Sequence, residues 1–212
     1  YRQALQKGAR SIVVPTVSGA MSGTFLVAKQ AAELVDVPVF VVDSRGPTMS
    51  LGWQVLAAAR AREKNDRPEA LLAAADQVRS RLVQYVSLDT IDYLHKGGRI
   101  GNAAWLAGRA LGIKPVVRIN HVTGLVEAAG RARTARRALD LAYTKFFEDV
   151  GSTGLLHVAV LHGNARQAAE ELAERVRLEY RPEELIVNIT GPVLGTHTGP
   201  SALALCGYRE PV

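Results

Sequence analysis

The chain has 212 residues, 48% of them hydrophobic and 22% charged, which is enough to bury a core without disulfides or metals. Its one cysteine, Cys206, excludes an internal disulfide framework and a cysteine-based zinc site. The longest apolar stretches are about strand length, far short of the ~20 residues of a membrane-spanning helix, and the opening residues lack a signal-peptide pattern. We therefore expect a cytoplasmic protein without stable membrane insertion.

The net charge of +6 raises the question of nucleic-acid binding. Much of the basic charge alternates with acidic residues on predicted helices, which is typical of a solvated helix face. One local excess contains no acid, and its members are Arg131, Arg133, Arg136 and Arg137. A solvated helix face and a surface for an acidic partner both explain this cluster. Because no set of stacking aromatic residues accompanies it, we expect no nucleic-acid partner.

The first half of the chain alternates strand and helix patterns, which indicates a parallel sheet with right-handed crossovers. The predicted elements are a helix at 1–7, a strand at 11–16, a helix at 23–35, a strand at 37–42, and helices at 50–64 and 67–83. Because Tyr1 already lies in a predicted helix and is not a methionine, we expect a further strand and loop before it.

The second half begins with a short strand and helix and then contains a hairpin and a strand-helix-strand unit. The predicted elements are a strand at 85–88, a short helix ending at 96–98, a helix at 102–111, hairpin strands at 113–120 and 125–129, a helix at 133–150, a strand at 155–161, a helix at 165–180 and a strand at 185–190. We place a domain boundary near residue 86, which gives an N-terminal α/β domain at 1–86 and a C-terminal α/β domain at 87–212.

The segment SGAMSGT, residues 18–24, lies at a predicted strand-to-helix junction. Ser22 takes the expected cap position, and the N–H groups of Gly23 and Thr24 would be free at the positive end of the helix dipole. Such a helix start suits a carboxylate or phosphate, whereas an ordinary N-cap serine is the alternative. The segment lacks a phosphate-loop lysine and the GxGxxG pattern, so a nucleotide is not expected.

The segment DTIDYLHKGGRIG, residues 89–101, combines a glycine pair with Arg99. The glycines permit φ > 0 and close backbone approach, and the guanidinium of Arg99 can form two parallel hydrogen bonds. The alternative is a helix end followed by a surface arginine. His95 and Lys96 fit that alternative, because cations suit the last turn of a helix.

The segment GTHTGP, residues 195–200, places His197 between two threonines in a predicted loop after a core strand. α/β proteins usually bind ligands at that end of their strands, and small neighbours would leave the imidazole accessible. No pair of histidines has the spacing of metal ligands, so we expect no metal. We also expect no cofactor.

Five segments together resemble the DegV family of bacterial fatty-acid-binding proteins, which includes the FakB-type subunits of fatty acid kinase. They are SGAMSGTF, VVDSRGPTMSLGWQVLAAA, DTIDYLHKGGRIGNAA, LGIKPVV and GPVLGTHTGPSALAL, in the family's order and spacing from about residue 11 to the end. The resemblance implies a two-domain α/β fold, with a parallel-sheet N-terminal domain and a fatty acid lying between the domains. A further family loop would precede Tyr1, so the N-terminal domain would lack its first strand here.

Carried over to matching positions, the resemblance places the lipid carboxylate on Ser22 and Gly23 and puts Arg99 and His197 in the same polar network. It also implies that the segment after the hairpin docks the kinase subunit through Arg133, Arg136 and Arg137, although Ala135 departs from the family's basic pattern.

The function implied is a carrier that binds a long-chain fatty acid and presents its carboxylate to a separate ATP-dependent kinase, without catalysis of its own. One alternative is a hydrolase of acyl esters with Ser22 as nucleophile and His197 as base, although SGAMSGT is not the G-x-S-x-G elbow and no acid to orient His197 can be named. Another is a regulatory protein that binds nucleic acid through the arginine cluster. We expect the chain to be monomeric alone.

Overall fold

The computed structural model describes residues 1–106 and 112–211. These residues form two compact units, one made of Tyr1–Ser80 with His121–Leu125 and the other of Arg81–Asn120 with Val126–Val212. The division falls earlier than the expected boundary near residue 86, because the strand that includes residue 86 pairs with strands of the second unit.

The first unit contains two parallel strands and four helices. Their bounds are α1 Arg2–Gln6, β1 Ile12–Thr16, α2 Thr24–Ala32, β2 Val39–Asp43, α3 Met49–Lys64 and α4 Pro68–Arg79. β1 and β2 pair in parallel from Ile12↔Val39 to Thr16↔Asp43, as the strand-helix alternation predicts. Pro68 starts α4, where its missing N–H costs no hydrogen bond. The helix ends at Arg79 rather than at the predicted Val83, because Val83 pairs with Gly207 in the second unit's sheet.

The second unit is built on a mixed six-stranded sheet. Its elements are β3 Val83–Ser87, α5 Asp92–Lys96, a 3₁₀-helix Gly101–Leu106, β4 Lys114–Asn120, β5 Leu125–Ala132, α6 Ala135–Val150, β6 Leu155–His162, α7 Arg166–Tyr180, β7 Glu184–Ile189, α8 Gly191–Thr198 and β8 Leu203–Glu210. The strand order is β5-β4-β3-β8-β6-β7, in which β6 and β7 are parallel while β8 runs antiparallel to β3 and β6. The two-part α/β fold expected from the sequence is therefore confirmed.

Helices α6 and α7 contribute to one hydrophobic core with alternate residues of the sheet. Val158 and Val160 of β6 lie two residues apart and so point to the same face, where they pack in one cluster with Phe146 of α6 and Val176 of α7. Each of these four side chains is fully buried. This core supports the strands whose carboxyl ends lead into α7 and α8.

Two sequence predictions differ from the structure in this unit. The segment that contains GTHTGP was expected to be a loop, but Gly191–Thr198 forms helix α8. The helix expected at 102–111 is a 3₁₀-helix over Gly101–Leu106, and residues 107–111 lie outside the described residues. Within the described ranges, no helix is both long and apolar enough to cross a bilayer.

Candidate functional site

The start of α2 exposes the hydroxyl of Ser22. The N-cap of α2 is Gly23 rather than Ser22, and the Ser22 hydroxyl accepts the N–H of Thr24 at 3.2 Å. It also lies 2.9 Å from the Thr24 hydroxyl. The Thr24 N–H is therefore not free, contrary to the sequence prediction. Since its oxygen already accepts this N–H, the Ser22 hydroxyl is suited to donate its proton to an anion.

The other serine of this loop, Ser18, has a structural environment. Its side chain is fully buried, donates to the Gly124 carbonyl at 2.8 Å and accepts the N–H of Ala20 at 3.2 Å. Asp43 supports the same loop, because one carboxylate oxygen accepts the N–H groups of Gly19 at 3.1 Å and Arg45 at 2.8 Å. Hydrogen bonds to Ser18 and Asp43 therefore stabilise the loop that contains Ser22. The sequence did not predict this role for either residue.

The glycine pair before Arg99 serves two different needs. Gly98 has φ +67°, the left-handed conformation that glycine adopts most readily. Gly97 has an ordinary helical conformation with φ −78°, so its backbone does not require glycine. The Gly97 carbonyl accepts a hydrogen bond from Nη1 of Arg99 at 2.8 Å, and the backbone N–H of Arg99 donates to the Leu94 carbonyl at 3.0 Å. The turn therefore fixes the first atoms of the arginine and one end of its guanidinium.

Gly97 is needed where α5 meets α8. A Cβ at this position would overlap Nδ1 of His197 and would lie 2.8 Å from its Cε1. Gly199, just after α8, makes a second close approach, because a Cβ there would lie 2.7 Å from the ring of Tyr93. The GGRIG and GTHTGP segments are thus brought together in the second unit. Both Arg99 and His197 lie beside Gly97.

The imidazole of His197 is more enclosed than the sequence indicated. It sits in the last turn of α8, and its Nδ1 is buried with no hydrogen-bond partner among the residues that the structure describes. The hydroxyls of Thr196 and Thr198 turn back to the α8 backbone, to the carbonyls of Val193 at 2.8 Å and Leu194 at 3.1 Å. The neighbouring threonines therefore stabilise the helix and do not contact the imidazole with their hydroxyls.

Three other histidines lie in buried positions elsewhere. His121 is 2.7 Å from the Ser50 hydroxyl, and His157 lies between Glu184 at 3.2 Å and Glu210 at 3.4 Å. His162 ends β6. Within residues 1–106 and 112–211, no three His, Cys, Asp or Glu side chains form a cluster that could hold a metal ion.

The arginine cluster lies at the beginning of α6. Arg133, Arg136 and Arg137 are exposed, and within the described ranges none of them forms an ion pair. Thr134 caps the helix by accepting the N–H of Arg137 at 3.3 Å, and the first turn contains no acidic residue. Positive charge at this end opposes the helix dipole. The cluster therefore has an uncompensated charge that an acidic surface would neutralise.

The sequence alone did not indicate the contacts of three residues. Ser18 supports the loop that contains Ser22, Gly97 contacts His197, and Tyr93 contacts Gly199. Gly98 is a glycine because of its backbone conformation, which a sequence can suggest. Gly97 is a glycine because of its packing against His197, which lies a hundred positions away in the sequence. Only the three-dimensional contact between α5 and α8 reveals it.

The chain is similar to proteins of one family over its whole length. The model of the DegV family, described as uncharacterised proteins, matches residues 1–210. A DegV domain-containing protein of Streptomyces coelicolor is 35% identical over 206 residues, which cover 97% of this chain and 72% of the relative. A second, from Clostridium acetobutylicum, is 33% identical over 200 residues, which cover 92% of this chain and 69% of the relative.

Solved structures with the same fold belong to the same family. A DegV family protein from Thermus thermophilus that binds fatty acid has a TM-score of 0.89 and 31% identity, covering 99% of this chain and 74% of its own. DegV from Bacillus subtilis, a fatty acid binding protein, has a TM-score of 0.87 and 26% identity, with coverage of 99% and 74%. The chain therefore belongs to the DegV family.

Proposed function

We propose that this chain binds a long-chain fatty acid and presents its carboxylate to a separate ATP-dependent kinase. The observation that carries the proposal is its similarity, at 31% identity over 99% of the chain, to the Thermus thermophilus protein that binds fatty acid. In this proposal, the residues that bind the carboxylate are Ser22, Gly23, Arg99 and His197.

The chemistry of these groups suits a carboxylate. The Ser22 hydroxyl and the His197 imidazole each supply a hydrogen-bond donor. Arg99 supplies a positive charge, and a hydrogen bond to the Gly97 carbonyl positions its guanidinium. Gly23 has no side chain, and a Cβ at its position would meet nothing within 4 Å, so a ligand can approach its backbone closely. Hydrogen bonds between ionised and neutral groups are about twice as strong as neutral ones.

The acyl chain would supply most of the affinity. Burying a 16-carbon tail gains on the order of 12 kcal/mol before the costs of ordering, at ~0.8 kcal/mol per methylene. The polar residues then have a different task, which is to fix the orientation of the carboxylate. An orientated carboxylate is what a kinase needs for phosphoryl transfer.

The local contacts favour binding over ester hydrolysis. A serine hydrolase needs a base on the serine and an acid that orients the base through its other ring nitrogen. Nδ1 of His197 has no hydrogen-bond partner among the described residues, so no carboxylate of this part of the chain orients it. The Ser22 hydroxyl instead contacts Thr24. These contacts support a binding role for both side chains.

The arginine cluster supports the proposed docking of a kinase subunit. Arg133, Arg136 and Arg137 place exposed positive charge at the positive end of α6, so contact with an acidic surface would relieve an unfavourable arrangement. We expect Arg136→Glu with Arg137→Glu to reduce phosphorylation by the kinase while leaving fatty-acid binding unchanged. Equal loss of both activities would contradict the docking role.

The decisive experiment is mass spectrometry of the denatured protein after purification and after loading with oleate. We expect one fatty acid per chain in the wild type and in the matched exposed variant Ser152→Ala. In Ser22→Ala the affinity for oleate, measured by titration, should fall at least tenfold, because a hydrogen bond to a charged group contributes about 1.5–3 kcal/mol. Absence of lipid after loading would overturn the proposal. Bound lipid that a kinase subunit and ATP fail to convert would leave binding intact and remove the presentation role.

A further inference from the structure

We infer that Gly97 is a positioning residue that fixes the tautomer of His197, so that Nε2–H is the donor facing the fatty-acid headgroup. The inference rests on the proposed function for the identity of the ligand. It goes beyond that function because it assigns a role to Gly97 and a single hydrogen-bonding state to His197.

The imidazole of His197 packs closely against Gly97. Gly97 has a helical conformation that any residue adopts, yet a Cβ would overlap Nδ1 of His197. The same Cβ would lie 3.0 Å from the Tyr93 carbonyl, so the peptide has little room to shift on that side. The absence of a side chain at Gly97 is therefore what lets the imidazole occupy its position.

Nδ1 of His197 is buried with no hydrogen-bond partner among the described residues. The Tyr93 carbonyl, which is the nearest backbone oxygen to a Cβ at Gly97, already accepts the Gly97 N–H at 3.0 Å. A ligand therefore cannot reach Nδ1, and Nε2, across the ring, is the nitrogen that remains for the headgroup.

In neutral His197 the ring proton lies on one of the two nitrogens. A neutral imidazole has one nitrogen that donates and one that accepts. A proton on Nδ1 would bury an N–H that has no acceptor in residues 1–106 and 112–211, and buried orphan donors are rarer in proteins than under-satisfied acceptors. The packing against Gly97 therefore favours the tautomer with the proton on Nε2. In that state His197 donates to an acceptor oxygen, such as a carboxylate oxygen.

Two kinds of measurement test this inference. The first is long-range ¹H–¹⁵N NMR on the lipid-free protein, in which Nε2 of His197 should resonate as a protonated nitrogen and Nδ1 as an unprotonated one. A protonated Nδ1 in neutral His197 would overturn the inference. This measurement needs no ligand, so it stands even if the protein does not bind fatty acid.

The second measurement compares variants in fatty-acid binding. In His197→Gln the side-chain amide nitrogen can occupy the place of Nε2, whereas in His197→Asn it occupies the place of Nδ1. We expect the glutamine variant to retain at least tenfold more affinity than the asparagine variant. Equal affinities, or the reverse order, would contradict the inference while leaving the proposed function in place.

Gly97→Ala tests the positioning role directly. We expect it to weaken binding about as much as His197→Ala and to change the ¹⁵N signals of His197. Gly195→Ala is the matched control, because Gly195 lies on α8 where a Cβ would meet nothing within 4 Å. Unchanged His197 signals and binding in Gly97→Ala would show that Gly97 does not position the imidazole. If Gly97→Ala does not fold, the histidine variants and the NMR measurement decide the question.

Discussion

Ser18 and Ser22 lie in one loop and illustrate how two residues of the same type differ in what they contribute. Ser18 is fully buried and bridges the Gly124 carbonyl and the Ala20 N–H. The Ser22 hydroxyl contacts Thr24, and its side chain is partly exposed. We therefore assign stability to the first serine and ligand contact to the second.

This assignment predicts opposite outcomes for the two alanine variants. Ser18→Ala should lower the free energy of unfolding by about 1–3 kcal/mol, because it leaves a buried carbonyl without its donor. Ser22→Ala should stay within about 0.5 kcal/mol of the wild type in stability but bind fatty acid at least tenfold more weakly. Urea denaturation and a lipid-binding titration on both variants check this. A strongly destabilised Ser22→Ala would contradict the division of roles.

Helix α8 shows where local sequence signals fail at the scale of an element. Gly191, Gly195 and the threonines around His197 are poor helix formers, and together they are typical of a loop. The segment is nevertheless helical, since it packs closely on α5 through Gly97 and Gly199. Tertiary contact overrides helix propensity in α8.

By contrast, long amphipathic helices such as α6 and α7 were predicted to within two residues at each end, because their apolar spacing is a property of the sequence itself.

A hydrogen bond between β3 and α6 predicts how the stability of the protein depends on pH. The Tyr85 hydroxyl donates to a carboxylate oxygen of Asp149 at 2.6 Å, and burial, with the neighbouring carboxylate, raises the pKa of Tyr85 to about 12 from its ordinary 10. Between these values the unfolded chain releases the phenolic proton while the folded chain retains it. The stabilising contribution of this tyrosine is therefore complete below pH 10 and declines as the pH rises toward 12.

Tyr85→Phe tests this prediction, because phenylalanine keeps the ring and cannot ionise. We expect the variant to be less stable at neutral pH and to lose less stability than the wild type between about pH 9 and pH 11. Urea denaturation at several pH values measures both slopes. Tyr143→Phe should act in the same direction, since burial and the nearby Glu179 raise the pKa of Tyr143 as well. Identical slopes in wild type and Tyr85→Phe would contradict the prediction.

At the scale of the whole molecule, the sequence predicted two α/β units but not how the chain is shared between them. The tip of the β4–β5 hairpin, His121–Leu125, belongs to the first unit. Its backbone and side chains bond to residues far away in sequence, with Gly124 accepting from Ser18, Val122 accepting from Arg45 at 2.6 Å and His121 contacting Ser50. Such non-local hydrogen bonds leave no periodic pattern, so sequence reasoning placed the hairpin wholly in the second domain.

The proposed carboxylate-binding residues are also far apart in the sequence, and no sequence pattern links them. Ser22 lies in the first unit, and His197 lies in the second. A double-mutant cycle can test whether they bind one headgroup without any assumption about their distance. If both contact the same carboxylate, the free energies of binding lost in Ser22→Ala and His197→Ala should not add, and the coupling energy should reach about 0.5–3 kcal/mol.

The control for this cycle is Ser18→Ala combined with His197→Ala, with binding measured well below the unfolding midpoint. Ser18 is a buried structural residue, so its effect on fatty-acid affinity should add to that of His197 within about 0.5 kcal/mol. Additivity in the Ser22–His197 pair as well would mean that the two side chains act on separate groups. In that case the proposal that Ser22 and His197 bind one carboxylate would be wrong, even if the protein binds fatty acid.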